Sequence, residues 1–400
     1  MLILGGSVSQ LPAIRHARAS GLRVVVADGD GSALGFGDAD AAEAVDFSDA
    51  DALVDVAARH RVDGIAAVCS DRAVLAAAVA AERLGLPGIG ADVAARMTDK
   101  ALMRVRLAER GLPQPPFVVV GTLDDAADAL DGLGTPAVLK PVDSGGQRGV
   151  YRIDRRDDLE TYLPRTLSFS GRGCAVLERY VDGDELNGIG VVRDGEVDIL
   201  TLSDRLRPSG RGFGVGWIHR FPSSLPAATL AEAASVAVRA VEALGLRDAV
   251  AFPQLLVSDG QVFVVEVAAR VPAGQMADLV HYAIGVDLLE IAFRQALGRP
   301  VGHELLQAGE PRPTVIRFFT AEPGVLPTGR VVEIGGLDRV RDAPGVLDAD
   351  VYLRVGETIN PVQVDADRRG YVVATGVDPE AALAAADAAS RGLVVRIGAP

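Results

Sequence analysis

The sequence predicts an α/β protein of several domains, and three observations carry that prediction. Residues 1–95 alternate short apolar runs with alanine-rich helical stretches. From Phe117 to Val181 the order is strand, helix, strand, glycine loop, strand, helix, strand. From Glu185 onward strands dominate, with a few interrupting helices. Alternation of the first kind argues for a parallel sheet with helices on both faces.

Each element has its own signal. LILGG is a strand ending in glycines, and QLPAIRHARASG is a helix stopped by Gly21. RVVVAD is a strand ending at Asp28, DADALVDVAARH a helix, GIAAVCS a strand and AVLAAAVAAERLG a further helix. Ligands of such sheets sit at the carboxyl ends of the strands, which puts Gly5 to Ser7 and Asp28 at a possible mouth. A tight strand–helix turn also accounts for Gly5 and Gly6. Thr98-Asp99-Lys100 opens a helix that runs to Gly111, with Thr98 as its N-cap, and LPQPP is a proline-rich joint. Helices follow at ATLAEAASVAVRAVEALG and VDLLEIAFRQALG. Residues 311–400 read as short strands with Gly-Pro-Asp turns, plus the helix PEAALAAADAAS. There is no internal repeat, low-complexity tract or coiled-coil heptad.

Composition narrows the function. Four hundred residues, 49% apolar and 24% charged, suit a soluble globular chain of two or three domains. A net charge of −14 argues against a broad nucleic-acid surface, so an anionic ligand needs a locally positive pocket. The two cysteines, Cys69 and Cys174, cannot build a disulfide framework and point to a reducing compartment. MLILGG lacks the charged and long apolar regions of a signal peptide, and no apolar run approaches the ~20 residues that span a bilayer. The expected setting is the cytoplasm, with no membrane and no nucleic-acid partner.

The chemistry gathers around VLKPVDSGGQRGV, residues 138–150. Lys140 precedes Gly145, Gly146 and Gly149, whereas a P-loop places its lysine after the glycines. The spacing also misses the dinucleotide fingerprint G-x-G-x-x-G. Alone, this loop is either a hairpin with a glycine-rich tip or a phosphate cradle. Lys100 lies forty residues before Lys140, and VLERYVDGDELN carries Glu178 and Glu185. QVFVVEVAARVPAG carries Glu266 and Arg270 four apart, with Gln254 twelve residues earlier. Each piece alone is weak, since an exposed ion pair contributes little.

In this order the pieces resemble the ATP-grasp fold of carboxylate–amine ligases, and the resemblance covers almost the whole chain. It implies a Rossmann-like domain over 1–95, a two-lobed ATP-grasp domain over 96–305 with a lid subdomain at about 115–180, and a β-rich C-terminal domain over 306–400. Lys100 and Lys140 match the lysines that hold the α- and β-phosphates, and Ser144, Gly145, Gly146 and Gly149 match the lid. Glycines there let backbone N–H groups approach phosphates closely. Glu178 matches the acid that opens the adenine hinge, where backbone groups of Arg179, Tyr180 and Val181 would bond the purine edge. Glu185 matches the acid that holds the ribose hydroxyls.

At the metal site the chain departs from the family. The usual pattern, Glu…Glu-x-Asn-x-Arg, reads Gln254, Glu266, Ala268 and Arg270 here. Glu266 and Gln254 are the implied ligands for Mg2+, with Mn2+ as a substitute, and weaker metal affinity is the expected result. Arg270 is the implied catalytic and substrate-side cation. EVAARVPAGQM, YAIGVDLLEIA, GRVVEIGGLD and YLRVGETINPV resemble the L-amino-acid α-ligase branch. In that branch a short residue such as alanine, here Ala268, in place of the asparagine is not unexpected. Arg205, in SDRL, falls where the family carries a phosphate-contacting basic residue. His219, in GWIHRFPSSLP, falls where the branch has a substrate-side residue; it also reads as a packed strand histidine.

The resemblance therefore implies an ADP-forming ligase that joins small-molecule carboxylate and amine substrates through an acyl phosphate, with amino acids as substrates and a homodimer as a common assembly. Two other readings stay open. One is a purine-pathway ATP-grasp enzyme activating formate or bicarbonate, although the sequence shows no basic cluster for a ribonucleotide phosphate. The other is a nucleotide-binding regulatory protein without turnover, suggested by Ala268.

Overall fold

The structure, a computed structural model, describes residues 1–208 and 213–398. Its first sheet is parallel, in the order Ala41–Ala44, Val25–Asp28, Leu2–Leu4, Ile65–Ala67. The strand Ala41–Ala44 has no sequence signal, because alanine and glutamate are poor strand formers. It forms by pairing with Val25–Asp28. Helices Leu11–Ala19, Ala50–His60 and Asp71–Leu84 flank the sheet, and the last buries Ala73, Ala76, Ala77, Ala80 and Ala81. Side chains this small let helix and sheet approach closely.

Two helices, Ala91–Thr98 and Lys100–Glu109, join this unit to the next. Here one sequence expectation is corrected. Thr98 ends the first helix, its hydroxyl donating to the Ala94 carbonyl at 2.8 Å. The N-cap of the second helix is Asp99, whose carboxylate accepts from the Leu102 amide at 3.0 Å. Lys100 is thus the first helical residue, and it lines the cleft.

A small antiparallel sheet follows, in the order Phe117–Val120, Ala175–Arg179, Ala137–Pro141, Tyr151–Ile153. Helices Leu123–Leu133 and Asp158–Leu167 pack on it. The glycine loop joins Ala137–Pro141 to Tyr151–Ile153.

The largest sheet has eight antiparallel strands: Gln261–Ala268, Ala249–Ser258, Asp184–Arg193, Glu196–Leu206, Ile218–Phe221, Thr314–Phe318, Gly370–Thr375 and Val346–Val351. It passes without a break across residue 305. The long helix Ala227–Leu244 covers one face with Ala233, Val236, Ala237, Ala240, Val241 and Leu244, and ends at Gly245 in the left-handed region, φ 86°. One hydrophobic core joins Ile3 and Val26 of the first sheet and Ile14 of its flanking helix to Ile189, Val271 and Ile316 around the large sheet. Among the described residues no helix is long and apolar enough to cross a membrane.

Candidate active site

The glycine loop is held open in shape by its backbone and tied down at both ends. Gly146 and Gly149 have φ of 68° and 72°, and Gln147 between them has φ 64°, all in the region glycine adopts most cheaply. A Cβ on Gly149 would lie 2.8 Å from the Phe169 ring. Lys100 anchors the near side: its amide donates to the Val142 carbonyl and its Nζ to the Ser144 carbonyl, both at 2.8 Å. On the far side the Asp365 amide donates to the Gly146 carbonyl at 3.3 Å.

Behind the loop lies a buried charge trio. Lys140 Nζ donates to Glu178 Oε1 at 2.7 Å, and Arg104 Nη2 donates to Glu178 Oε2 at 2.7 Å. All three residues are less than a tenth exposed. Burial alone would raise the Glu178 carboxyl, but Arg104 and then Lys140 outweigh it and hold it below the usual range. For Lys140, burial is the largest effect. Glu178 opposes it, Arg104 and Lys100 reinforce it, and the ammonium is pulled down to about 8. Arg104 escapes sequence reasoning because KALMRVRLAE reads as a solvated helix face. Its spacing of four from Lys100, which puts both on one face, was the available signal.

The expected adenine hinge begins at this trio, and both Glu178 oxygens are engaged by the Lys140 and Arg104 cations. The Arg179 and Tyr180 amides donate to the Pro116 and Pro136 carbonyls at 2.9 and 3.1 Å, continuing the sheet ladder. Among the described residues, only the Val181 amide of the three makes no backbone hydrogen bond. Val138, Val150, Phe213 and Leu256 line the apolar end of the cleft nearby.

Glu185 sits further along the cleft, its Oε2 paired with Arg205 Nη1 and its Oε1 3.3 Å from Arg207 Nε. A carboxylate has about four acceptor sites, so this pairing leaves room for two ribose hydroxyls. Arg205 is buried, and its Nη2 also donates to the Gly214 carbonyl.

The metal-site strands meet as a hairpin in which Gln254 stands opposite Glu266. The register shifts just beyond Gln254, and such a bulge re-aims neighbouring side chains. Glu266 lies 3.1 Å from Lys100 Nζ. Among the described residues no three His, Cys, Asp or Glu side chains gather as a ligand cluster. One carboxylate with one amide carbonyl does not suit a closed all-protein site. It fits Mg2+, which takes most of its octahedron from water and phosphate.

Arg270 makes a bidentate pair that sequence reasoning missed. Its Nε and Nη2 donate to Asp71 at 2.7 and 2.6 Å. Burial, which would raise the Asp71 carboxyl, is outweighed by Arg270, and the carboxyl is held low. Asp71 begins a helix that follows Ile65–Ala67, so the pair ties the first sheet to Arg270. Next to it, Cys69 has φ 61° and donates its amide to the Val271 carbonyl at 3.0 Å. Burial pushes its thiol up to about 11, which disarms it as a nucleophile.

His219 is 3% exposed, lies edge-on to Phe318 at 5.6 Å, and also lines a cavity. Gly5, Gly6 and Asp28 lie along that cavity's wall or behind it, but Asp28 is committed. Its carboxylate accepts from the Gly6 amide at 2.7 Å and the Asp30 amide at 2.9 Å.

Two cavities share this centre. A cleft of about 130 Å³ runs from Val181 to Glu266, and a larger one of about 520 Å³ is walled by Asp71, His219, Arg270 and Arg368. They communicate through Gly145, Gly146, Asn187, Arg205, Gln254 and Glu266, which line both.

Comparison with known proteins agrees with this geometry. Residues 14–88 match the ATP-grasp N-terminal domain. Residues 99–304, just over half of the chain, match the ATP-binding domain of the carbamoyl-phosphate synthase L chain. Residues 317–398 match the L-amino acid ligase C-terminal domain 2. The chain is 27% identical over 238 residues to the carbamoyl phosphate synthase large chain of Thermomicrobium roseum, a match taking in 59% of this chain and 22% of that one. It thus spans only about a fifth of that synthase's length. The L-amino acid ligase of Bacillus licheniformis superposes with a TM-score of 0.84 at 23% identity, covering 100% and 98% of the two chains. The biotin carboxylase domain of a Hydrogenobacter thermophilus 2-oxoglutarate carboxylase, solved with MgADP, ADP and bicarbonate, gives 0.78 at 18% identity over 99% and 90%. A two-lobed cleft beneath a glycine lid, in this fold, defines a nucleotide-binding protein. The chain belongs to the ATP-grasp superfamily and carries the C-terminal domain of its L-amino acid ligase branch. ATP with Mg2+ is the cofactor set of that family.

Proposed function

We propose that the protein is an ADP-forming ligase that joins an amino-acid carboxylate to the amine of a second amino acid. The observation that carries this reading is the junction of the two cavities: lysines and lid line one, and Arg270 with His219 lines the other. ATP in the smaller cleft transfers its γ-phosphoryl group to the carboxylate, giving an acyl phosphate and ADP. The amine attacks the acyl carbon, phosphate leaves, and the amine's proton is lost to solvent.

The chain supplies placement and charge compensation. Lys100, Lys140 and Arg205 offset the triphosphate charge. Ser144, Gly145, Gly146 and Gly149 close over it, the Val181 backbone takes the purine edge, and Glu185 takes the ribose hydroxyls. Arg270 stabilises the transferring phosphoryl group and the tetrahedral oxyanion. Mg2+, held by Glu266 and Gln254, would supply further neutralisation of the phosphate oxygens. ADP release measured over a panel of amino-acid pairs tests the reading. Dependence on two amino acids supports it, dependence on bicarbonate or formate with a ribonucleotide replaces it, and release of no ADP leaves nucleotide binding alone.

The metal site yields a titration. Glu266→Gln is expected to remove turnover at any attainable Mg2+ concentration. Ala268→Asn is expected to lower the Mg2+ needed for half-maximal rate, since it adds an oxygen donor. Unchanged Mg2+ curves for both variants would place the metal elsewhere.

The lid offers a second measurement. Its ties are few, so amide exchange over residues 143–150 is expected to slow at least about tenfold on adding MgATP, as closure excludes water. Equal exchange with and without nucleotide would refute a closing lid.

A further inference from the structure

Three polar side chains of the large sheet make one hydrogen-bonded line beneath both cavities. Gln254 Nε2 donates to Asn187 Oδ1 at 3.3 Å, and Asn187 Nδ2 lies 3.1 Å from His219 Nδ1. The same Nδ2 faces the Met276 sulfur at 4.0 Å. Sulfur of this kind only accepts, so the amide nitrogen of Asn187 belongs on the His219 side and its oxygen on the Gln254 side. Asn187 is fully buried, which leaves water no part in choosing the orientation.

An amide has one donor end and one acceptor end, and here both are committed. His219 Nδ1 must therefore be the bare, accepting nitrogen, and the ring proton sits on Nε2. Burial, reinforced by Arg205 and Arg368, keeps the ring neutral. Nε2 has no hydrogen-bond partner among the described residues, and the ring lines the larger cavity. Gln254, having turned its nitrogen to Asn187, leaves its carbonyl oxygen without a protein partner among the described residues.

We propose that Asn187 is a positioning residue that reads the polarity of residue 254 and sets His219 as an N–H donor facing the substrate. The donor role rests on the ligase reading, in which Nε2–H meets a carboxylate or carbonyl oxygen of the amino-acid substrate. The rule makes a remote consequence. A carboxylate at 254 has no donor, so Asn187 must turn its nitrogen toward it and its oxygen toward His219. The proton then moves to Nδ1, and Nε2 becomes an acceptor.

Nitrogen-15 NMR of histidine-labelled full-length protein, without nucleotide, reads this directly. The chain has five histidines, and His219→Gln identifies the signals of residue 219. The wild type is expected to show Nε2 protonated and Nδ1 bare. Gln254→Glu is expected to invert the pattern without touching the ring, and Asn187→Asp, which has only acceptors, is expected to protonate Nδ1 as well. A wild-type proton on Nδ1 overturns the proposal and needs no variant to fold. So does an Nδ1 that stays bare in Gln254→Glu or Asn187→Asp. In the ADP-release assay both variants are expected to raise KM for the carboxylate substrate about 10- to 100-fold. An inverted ring with unchanged KM refutes the positioning role while the ligase reading stands. No ADP release from the wild type refutes the ligase reading, and with it the donor role, while the tautomer result stands alone.

Discussion

Lys140→Ala is expected to abolish measurable ADP formation, a loss of about a thousandfold or more for a cation on the transferring phosphates. The fold should survive, because Glu178 keeps Arg104 as a partner at 2.7 Å. Glu178→Ala is the contrasting variant. It leaves Lys140 and Arg104 buried with no counter-charge, and is expected to lose about 3–5 kcal/mol of stability. Thermal melting of both variants beside turnover separates the two roles. Equal melting temperatures for the pair would contradict the trio.

The same lysine sets a pH limit. With its ammonium pulled down to about 8, the free protein loses this charge as pH rises through 8, whereas the unfolded chain keeps it to the ordinary lysine range. Between those values the unfolded state binds more protons, so this group's contribution to stability rises with pH. ATP capture moves the other way, since it needs the charged form. The expected profile is kcat/KM for ATP falling by up to about tenfold per pH unit above 8, with a flatter kcat because bound phosphates restore the charge. A kcat/KM level to pH 9.5, to choose a value about 1.5 units beyond, would exclude an ionisable phosphate lysine.

Arg270→Ala is expected to lower kcat by about a hundred- to a thousandfold with little change in KM for ATP, the pattern of a transition-state contact. Asp71→Asn tests what orients that contact. An amide offers one oxygen to a guanidinium that now donates at 2.7 and 2.6 Å to two. Its expected cost is about 10- to 100-fold in kcat, with most of the stability retained. Unchanged kcat in Asp71→Asn would show that the pair only fastens the first sheet to the rest of the molecule.

What the sequence made legible is what short-range pattern can encode. Strand–helix alternation, the glycine loop and the two lysines at strand or helix ends all declare themselves within a dozen residues. Arg104 and Asp71 do not, because their partners Glu178 and Arg270 lie 74 and 199 residues away. In any local window each is simply a charge on a helix. Asn187 was harder still. Its neighbours in DELNGIGVVR make it look like a turn residue, and only the packed sheet shows what its amide faces. The adenine hinge was legible only in outline for a related reason: sheet pairing engages two of its three amides, which no local window shows.

The strand Thr314–Phe318 lies inside the large sheet, between Ile218–Phe221 and Gly370–Thr375. The last quarter of the chain is therefore no detachable appendage. Exchanging it between relatives would mean replacing an interior strand, and the newcomer must match the register that sets Ile316 opposite His219. A slip of one residue would turn the wrong face toward the cavity. The wall of the larger cavity at His219 and the closure of the large sheet thus depend on one and the same strand pairing.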